Sequence, residues 1–267
     1  MAEHIAGPTG GETAPPVVLR RQAQLTLRPE NFGERLLNSS VVWLVLMAYW
    51  ALTDILIAIF PPGGRQIPPE GWINHLGSTL AGLAAIWCMH RTGFPAAWDA
   101  RIPATRRLLL PTLVGVASGF PTIVVVGRVL ATLEALTGQA LNVAFPGSLL
   151  VYSAASIHQE LRFLLFPLPL LLWLISNVFL RGRGQMPTFW ALAILSAAAE
   201  PYLQSMAMLA IAPEVIGPGV VAMVFALGFA INFVAAAFFR RYGLLAAILV
   251  RLGNYIVAHI IYGNFFA

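Results

Sequence analysis

An all-α, polytopic transmembrane helical bundle of about seven spans, with its N-terminus cytoplasmic, follows from three observations. Of the 267 residues, 58% are hydrophobic and only 10% charged, and the mean hydropathy is +0.78. A soluble domain carries about 25% charge. Apolar stretches long enough to cross about 30 Å of hydrocarbon recur along the chain. They fall at about 38–60, 72–90, 108–134, 147–180, 188–211, 218–239 and 243–265. The third observation is the alternation of arginines between the connections.

Arg20, Arg21, Arg28 and Arg35 precede the first stretch, and Arg91, Arg101, Arg106 and Arg107 follow the second. Arg181 and Arg183 follow the fourth, and Arg240 and Arg241 the sixth, while the alternate connections hold Arg65 or nothing. That pattern satisfies the positive-inside rule for a cytoplasmic N-terminus and an odd number of crossings. Two crossings in the fourth stretch would place the later pairs on the wrong side. Pro167 and Pro169 break or kink that stretch, leaving two alternatives: one kinked span, or a span plus a re-entrant piece.

The domain organisation is correspondingly simple. Residues 1–36 form a cytoplasmic tail rich in Gly, Pro and Thr, expected to be flexible, and 37–267 form the membrane domain. The opening MAEHIAGPTGGETAPPVV has no apolar run beside basic residues, so no cleaved signal peptide is expected. All 16 basic residues are arginine. This reads as GC-rich codon usage and suggests a bacterial cytoplasmic (inner) membrane; most of the arginines sit between spans, which does not suit a nucleic-acid partner. The net charge of +5 suits contact with anionic lipid surfaces. Cys88 is the sole cysteine, which excludes an intrachain disulfide and a cysteine-only metal cage. No metal site is expected.

Chemistry concentrates in polar residues at bilayer depth, each costly on insertion scales by about 2.5–3.5 kcal/mol when charged. The fourth stretch carries His158, Gln159, Glu160 and Arg162. His158 and Arg162 share a helix face, whereas Glu160 lies about 200° from His158 at 100° per residue. The group therefore faces more than one neighbour, either as a Glu–Arg or His–Glu network locking helices together or as a site. In the fifth stretch Glu200 and Gln204 share a face, and Pro201 frees backbone groups beside them. In the seventh, Arg251, Asn254, Tyr255, His259 and Tyr262 fall on one stripe, which must face protein or water. Asn232 and Asp54 are candidates for the same interior. The chain has no H-E-x-x-H, no G-x-S-x-G and, lacking lysine, no P-loop. No cofactor is predicted, although a haem or pigment held by His158 and His259 is geometrically conceivable.

The order of these motifs resembles a known family. SIHQELRFLLFPLPLLLWL is similar to the first motif of the CAAX-protease and bacteriocin-processing (CPBP, or Abi) membrane family. ALAILSAAAEPYLQ stands in the place of its second motif, and FRRYGLLAAILVRLGNYIVAHI resembles its third, so the likeness covers about 105–265. The resemblance implies an intramembrane glutamate peptidase: a Glu–Glu pair activates water, and later His and Asn residues polarise the scissile carbonyl. Carried over, Glu160 is the general base, His158 or His259 the acid or oxyanion donor, and Asn254 an oxyanion donor. Gln159, Arg162, Glu200, Gln204, Arg251 and Tyr255 form the surrounding polar network. The chain departs from the family pattern in four places. Gln159 stands where the first Glu would be, and Arg162 follows Glu160 by two positions instead of four. Glu200 lies near the place of the second-motif histidine, and Arg251 near that of a third-motif one. Glutamine takes no proton from water, so impaired or lost proteolysis is the expectation. Two alternatives stand beside it: an accessory or assembly subunit bound to other membrane proteins, and a transporter or a cofactor- or lipid-binding protein.

Overall fold

The structure is a computed structural model that describes residues 31–65, 67–211 and 216–266. The expected N-terminal tail lies outside the described residues, apart from its last few positions, which are already helical. Seven helical passages follow: α1 Phe32–Ile59, α2 Trp72–Arg91, α3 Leu110–Thr137, α4 Gly147–Phe179, α5 Gln185–Ile211, α6 Pro218–Tyr242 and α7 Leu244–Phe265. A π turn, Thr105–Leu109, leads into α3. Six of the seven are long and apolar enough to cross a membrane, and the chain is a membrane protein on that ground. Seven passages are expected and seven are present among the described residues, one of them falling short of that measure. The exception is α2, whose 20 residues include Asn74, His75, His90 and Arg91 and so dilute its apolar content.

The two ends of the bundle are built differently. At one end the connections after α2 and α4 meet the end of α6. Arg240 Nη1 and Gln185 Nε2 both donate to the Thr92 carbonyl, at 2.8 and 2.7 Å, and Asn177 Nδ2 donates to the Arg91 carbonyl at 3.2 Å. Gly243 turns α6 into α7 within one residue at φ 91°, a conformation that side chains disfavour. Arg91, Arg101, Arg106, Arg107, Arg181, Arg183, Arg240 and Arg241 belong to this end. At the other end the 60–71 and 138–146 connections pair through Gly64 and Val143. Asn142 Nδ2 donates to the Gly263 carbonyl at 2.8 Å, and Phe145 N to Asn264 Oδ1 at 2.7 Å, tying in the end of α7. Arg65 is the arginine in the described connections of that end. The separation of charge is the one the positive-inside rule requires.

Near the arginine-rich end sits the main apolar core, including Trp43, Met89, Phe94, Phe189, Phe239 and Leu244. Against α3, α7 packs more closely than side chains allow. A Cβ on Gly115 would meet the Val250 carbonyl oxygen at 2.1 Å, and one on Gly253 would meet that of Thr112 at 2.5 Å. Gly115 and Gly119 form a small-xxx-small pattern, the usual device for bringing membrane helices together.

Prolines shape α4 and α5. The α4 passage is a single continuous path, resolving the alternatives left by its length: Gly147–Glu160, a π turn Leu161–Leu165, then Pro167–Leu172 and a second π segment Trp173–Phe179. Pro167 has no N–H to offer the Phe163 carbonyl, and the Ser196 hydroxyl of α5 donates to that carbonyl instead. Pro201 leaves the Ala197 carbonyl free in the same way, and Asn232 Nδ2 of α6 donates to it at 3.2 Å. Neighbouring helices thus satisfy the backbone groups that each proline releases.

Candidate functional site

The second of these repairs organises the polar interior. Asn232, drawn to α5 by the Ala197 carbonyl, also donates through Nδ2 to Glu200 Oε2 at 3.2 Å. Its Oδ1 accepts from Arg251 Nη2 at 2.7 Å. Arg251 completes the cluster: Nη1 and Nη2 fork onto the two oxygens of Glu200 at 3.1 and 2.8 Å, and Nε reaches Glu160 Oε1 at 2.6 Å. Four helices meet at this guanidinium. Glu160 is 1% exposed and Arg251 6%, so the ion pairs are dry on the Glu160 side. Glu160 Oε2 has no hydrogen-bond partner. Pairing of this kind is the ordinary solution for charges at bilayer depth, and the fork geometry is specific to arginine.

The other stripe residues of α7 each make their own contacts. Asn254 Nδ2 turns to α3, donating to Ser118 Oγ at 3.1 Å and Thr122 Oγ1 at 3.0 Å. His259 stacks on Tyr152 at 4.7 Å between ring centroids and stands edge-on to Tyr255 at 5.2 Å. Tyr262 lies against α3 at Gly127. From Ile256 to Tyr262 the helix is π-wound, so the 100° register lapses there and Tyr262 leaves the stripe, whereas Arg251, Asn254, Tyr255 and His259 still border one pocket. His158 packs on Trp50 at 4.9 Å. Asp54 does not join this interior; its Oδ2 meets His75 Nε2 at 2.8 Å and accepts from Glu70 N at 3.0 Å.

Two adjoining spaces border the cluster. A pocket of about 120 Å³ touches Glu200, Gln204, Asn232, Arg251, Asn254 and His259, room enough for ordered water. A larger cleft of about 670 Å³ is lined by Arg65, His158, Gln159, Arg162, Gln204 and His259, among others. Glu200, Gln204, Tyr255 and His259 border both. Glu160 borders neither. Of the sequence candidates, Glu160, Glu200 and Arg251 are joined directly, with Asn232 as their fourth member. His158, Gln159, Arg162, Gln204, Tyr255 and His259 share the cleft. Asn254 hydrogen-bonds outside both groups, though it borders the smaller pocket. Ser118, Thr122 and Ser196 are additions: the first two lie on α3, whose small residues mark it for close packing, while the third was placed only by the structure, against the carbonyl that Pro167 releases. Among the described residues no group of three His, Cys, Asp or Glu side chains is placed to hold a metal ion.

No family model, curated protein or solved structure matches this chain.

Proposed function

We propose that this chain is a CPBP-like integral membrane protein that no longer hydrolyses peptides and uses its polar interior to bind a ligand. The observation that carries the reading is the position of Glu160. As the one glutamate left in the first motif, it would have to act as the base. A general base must lie within hydrogen-bond reach of the proton it abstracts, directly or through one water. Glu160 instead spends Oε1 on Arg251 at 2.6 Å, is sealed from both cavities, and has glutamine where the family places its carboxylate partner. The groups that do face open space are amides, imidazoles, phenols, the guanidiniums of Arg65 and Arg162, and one carboxylate, Glu200, already held by Arg251. Such a lining suits binding and orientation.

The test reconstitutes the full chain in vesicles with a prenylated peptide and a transmembrane-segment reporter. Wild type and Glu160→Gln should cleave equally little. Cleavage by the wild type that Glu160→Gln abolishes overturns the reading. In parallel, extraction in a gentle detergent followed by native mass spectrometry should detect a bound small molecule.

A further inference from the structure

Arg162 lies about 22 Å along α4 from Gly147 at 1.5 Å per residue, within a long apolar passage, and its side chain is exposed. Among the described residues no carboxylate lies within ion-pairing distance of it; the Phe163 ring is 5.6 Å from its guanidinium carbon. Arg65, at the arginine-poor end, is also exposed and, among the described residues, has no acidic partner either. Both border the same cleft. The carboxylate on that cleft's wall is Glu200, whose oxygens are already taken by Arg251 and Asn232. A second groove, of about 630 Å³, meets the first at His158 and Arg162 and carries Glu70, whose Oε2 accepts from Asn74 at 2.7 Å. Gln159 borders the cleft with its Oε1 buried and unpartnered. The cleft therefore offers two unpaired guanidinium groups, with amides and imidazoles between them. Its remaining wall is apolar, with Ile67, Pro68, Val151, Phe163 and Leu203. Leu203 is 53% exposed on a membrane-spanning helix, so the rim belongs to the surface that lipid covers.

We propose that this cleft takes an anionic amphiphile: a phosphate or carboxylate head, carried on a hydrocarbon chain, paired by Arg162 and Arg65. Guanidinium forks match such heads in a bidentate fashion. A cation at bilayer depth needs an anion or a route to water, and the apolar wall accommodates the first carbons of the chain. This inference rests on the ligand-binding reading above and names the ligand class.

The full chain in an uncharged detergent is titrated with short-chain phosphatidic acid while thermal unfolding is followed. Phosphatidylcholine of equal chain length and inorganic phosphate serve as the other probes. Phosphatidic acid should raise the Tm saturably, and the other two should not. Arg162→Gln and Arg65→Gln should each weaken the apparent affinity by about tenfold or more, the size of one lost charge-assisted hydrogen bond. Arg162→Lys should retain part of it. Arg65→Gln lies in a connection and carries the same test should Arg162→Gln fail to fold. Unchanged affinity in both Gln variants overturns the inference, as does an equal response to phosphatidylcholine. An equal response to inorganic phosphate overturns the amphiphile and leaves a bare-anion site. A co-purified neutral ligand indifferent to both arginines sinks this inference while the ligand-binding reading survives; Glu160-dependent cleavage sinks that reading itself.

Discussion

Arg251 and Arg162 are the same residue type, each well inside an apolar helix, and the fold treats them in opposite ways. Arg251 is buried among Glu160, Glu200 and Asn232, with every bond donated by its guanidinium going to another helix. Arg162 stands on the wall of a cleft with no acid beside it. The difference shows that intramembrane charge does not report function by depth alone. A charge whose partners are internal holds helices together, and one without them is available to something else.

Removing Arg251 is the harshest way to break this comparison. Arg251→Ala strips the buried Glu160 and the part-buried Glu200 of their cation, a loss of about 3–5 kcal/mol that thermal unfolding in detergent should register as a large fall in Tm or as failure to fold. Replacing the charges together, with Arg251→Met, Glu160→Leu and Glu200→Leu in one chain, should recover most of it, because apolar substitutes for a buried ion pair are often neutral. If the triple variant is no better than Arg251→Ala alone, the ion pairs are not the source of the loss.

Gly253→Ala tests how Arg251 is delivered. The added methyl would sit 2.5 Å from the Thr112 carbonyl oxygen, and overpacking of this kind costs about 1–3 kcal/mol. An unchanged Tm would mean that the α3–α7 contact is looser than described. Asn232→Ala should cost about 1–3 kcal/mol, since it strips partners from Arg251, Glu200 and the Ala197 carbonyl together. Urea unfolding of the two variants side by side would rank them.

A smaller effect belongs to the arginine-rich end. Hydrogen bonds from the Arg101 side chain hold the Asp99 carboxyl below the usual carboxylate range, against the opposing push of burial. Its stabilisation is complete above the unfolded value of about 3.9 and is lost as pH falls through the lower folded value. Arg101 is part-exposed, and such a pair contributes at most about 1 kcal/mol. The Tm difference between wild type and Asp99→Asn should therefore shrink between pH 5 and pH 3; a difference that grows instead has the sign wrong. Least of all should come from Arg162→Gln without anionic lipid, within about 0.5 kcal/mol of wild type. A loss of several kcal/mol there would show that Arg162 is structural after all and erase its contrast with Arg251.

The helical membrane class, the positions of the passages and the polar character of the interior were all legible in the sequence, because hydropathy and arginine placement are properties of local segments. Of the seven passages α2 is the one that falls short in apolar content, because Asn74, His75, His90 and Arg91 dilute its Trp, Leu, Ile and Met. Glu160, Glu200 and Arg251 were each recognisable as expensive residues needing partners. Their assembly into one cluster with Asn232 was not, since it depends on the carbonyl that Pro201 releases and on the close approach of α7 to α3. The stripe of α7 holds as far as His259, since Arg251, Asn254, Tyr255 and His259 border one pocket, while Tyr262, at the end of the π winding, turns to Gly127. The sequence by itself determined that charge would be buried in a membrane and that arginine would have to be accommodated there. Only the tertiary structure decided which arginine is paired, because pairing at bilayer depth is settled by which helices touch, and those contacts join residues dozens of positions apart.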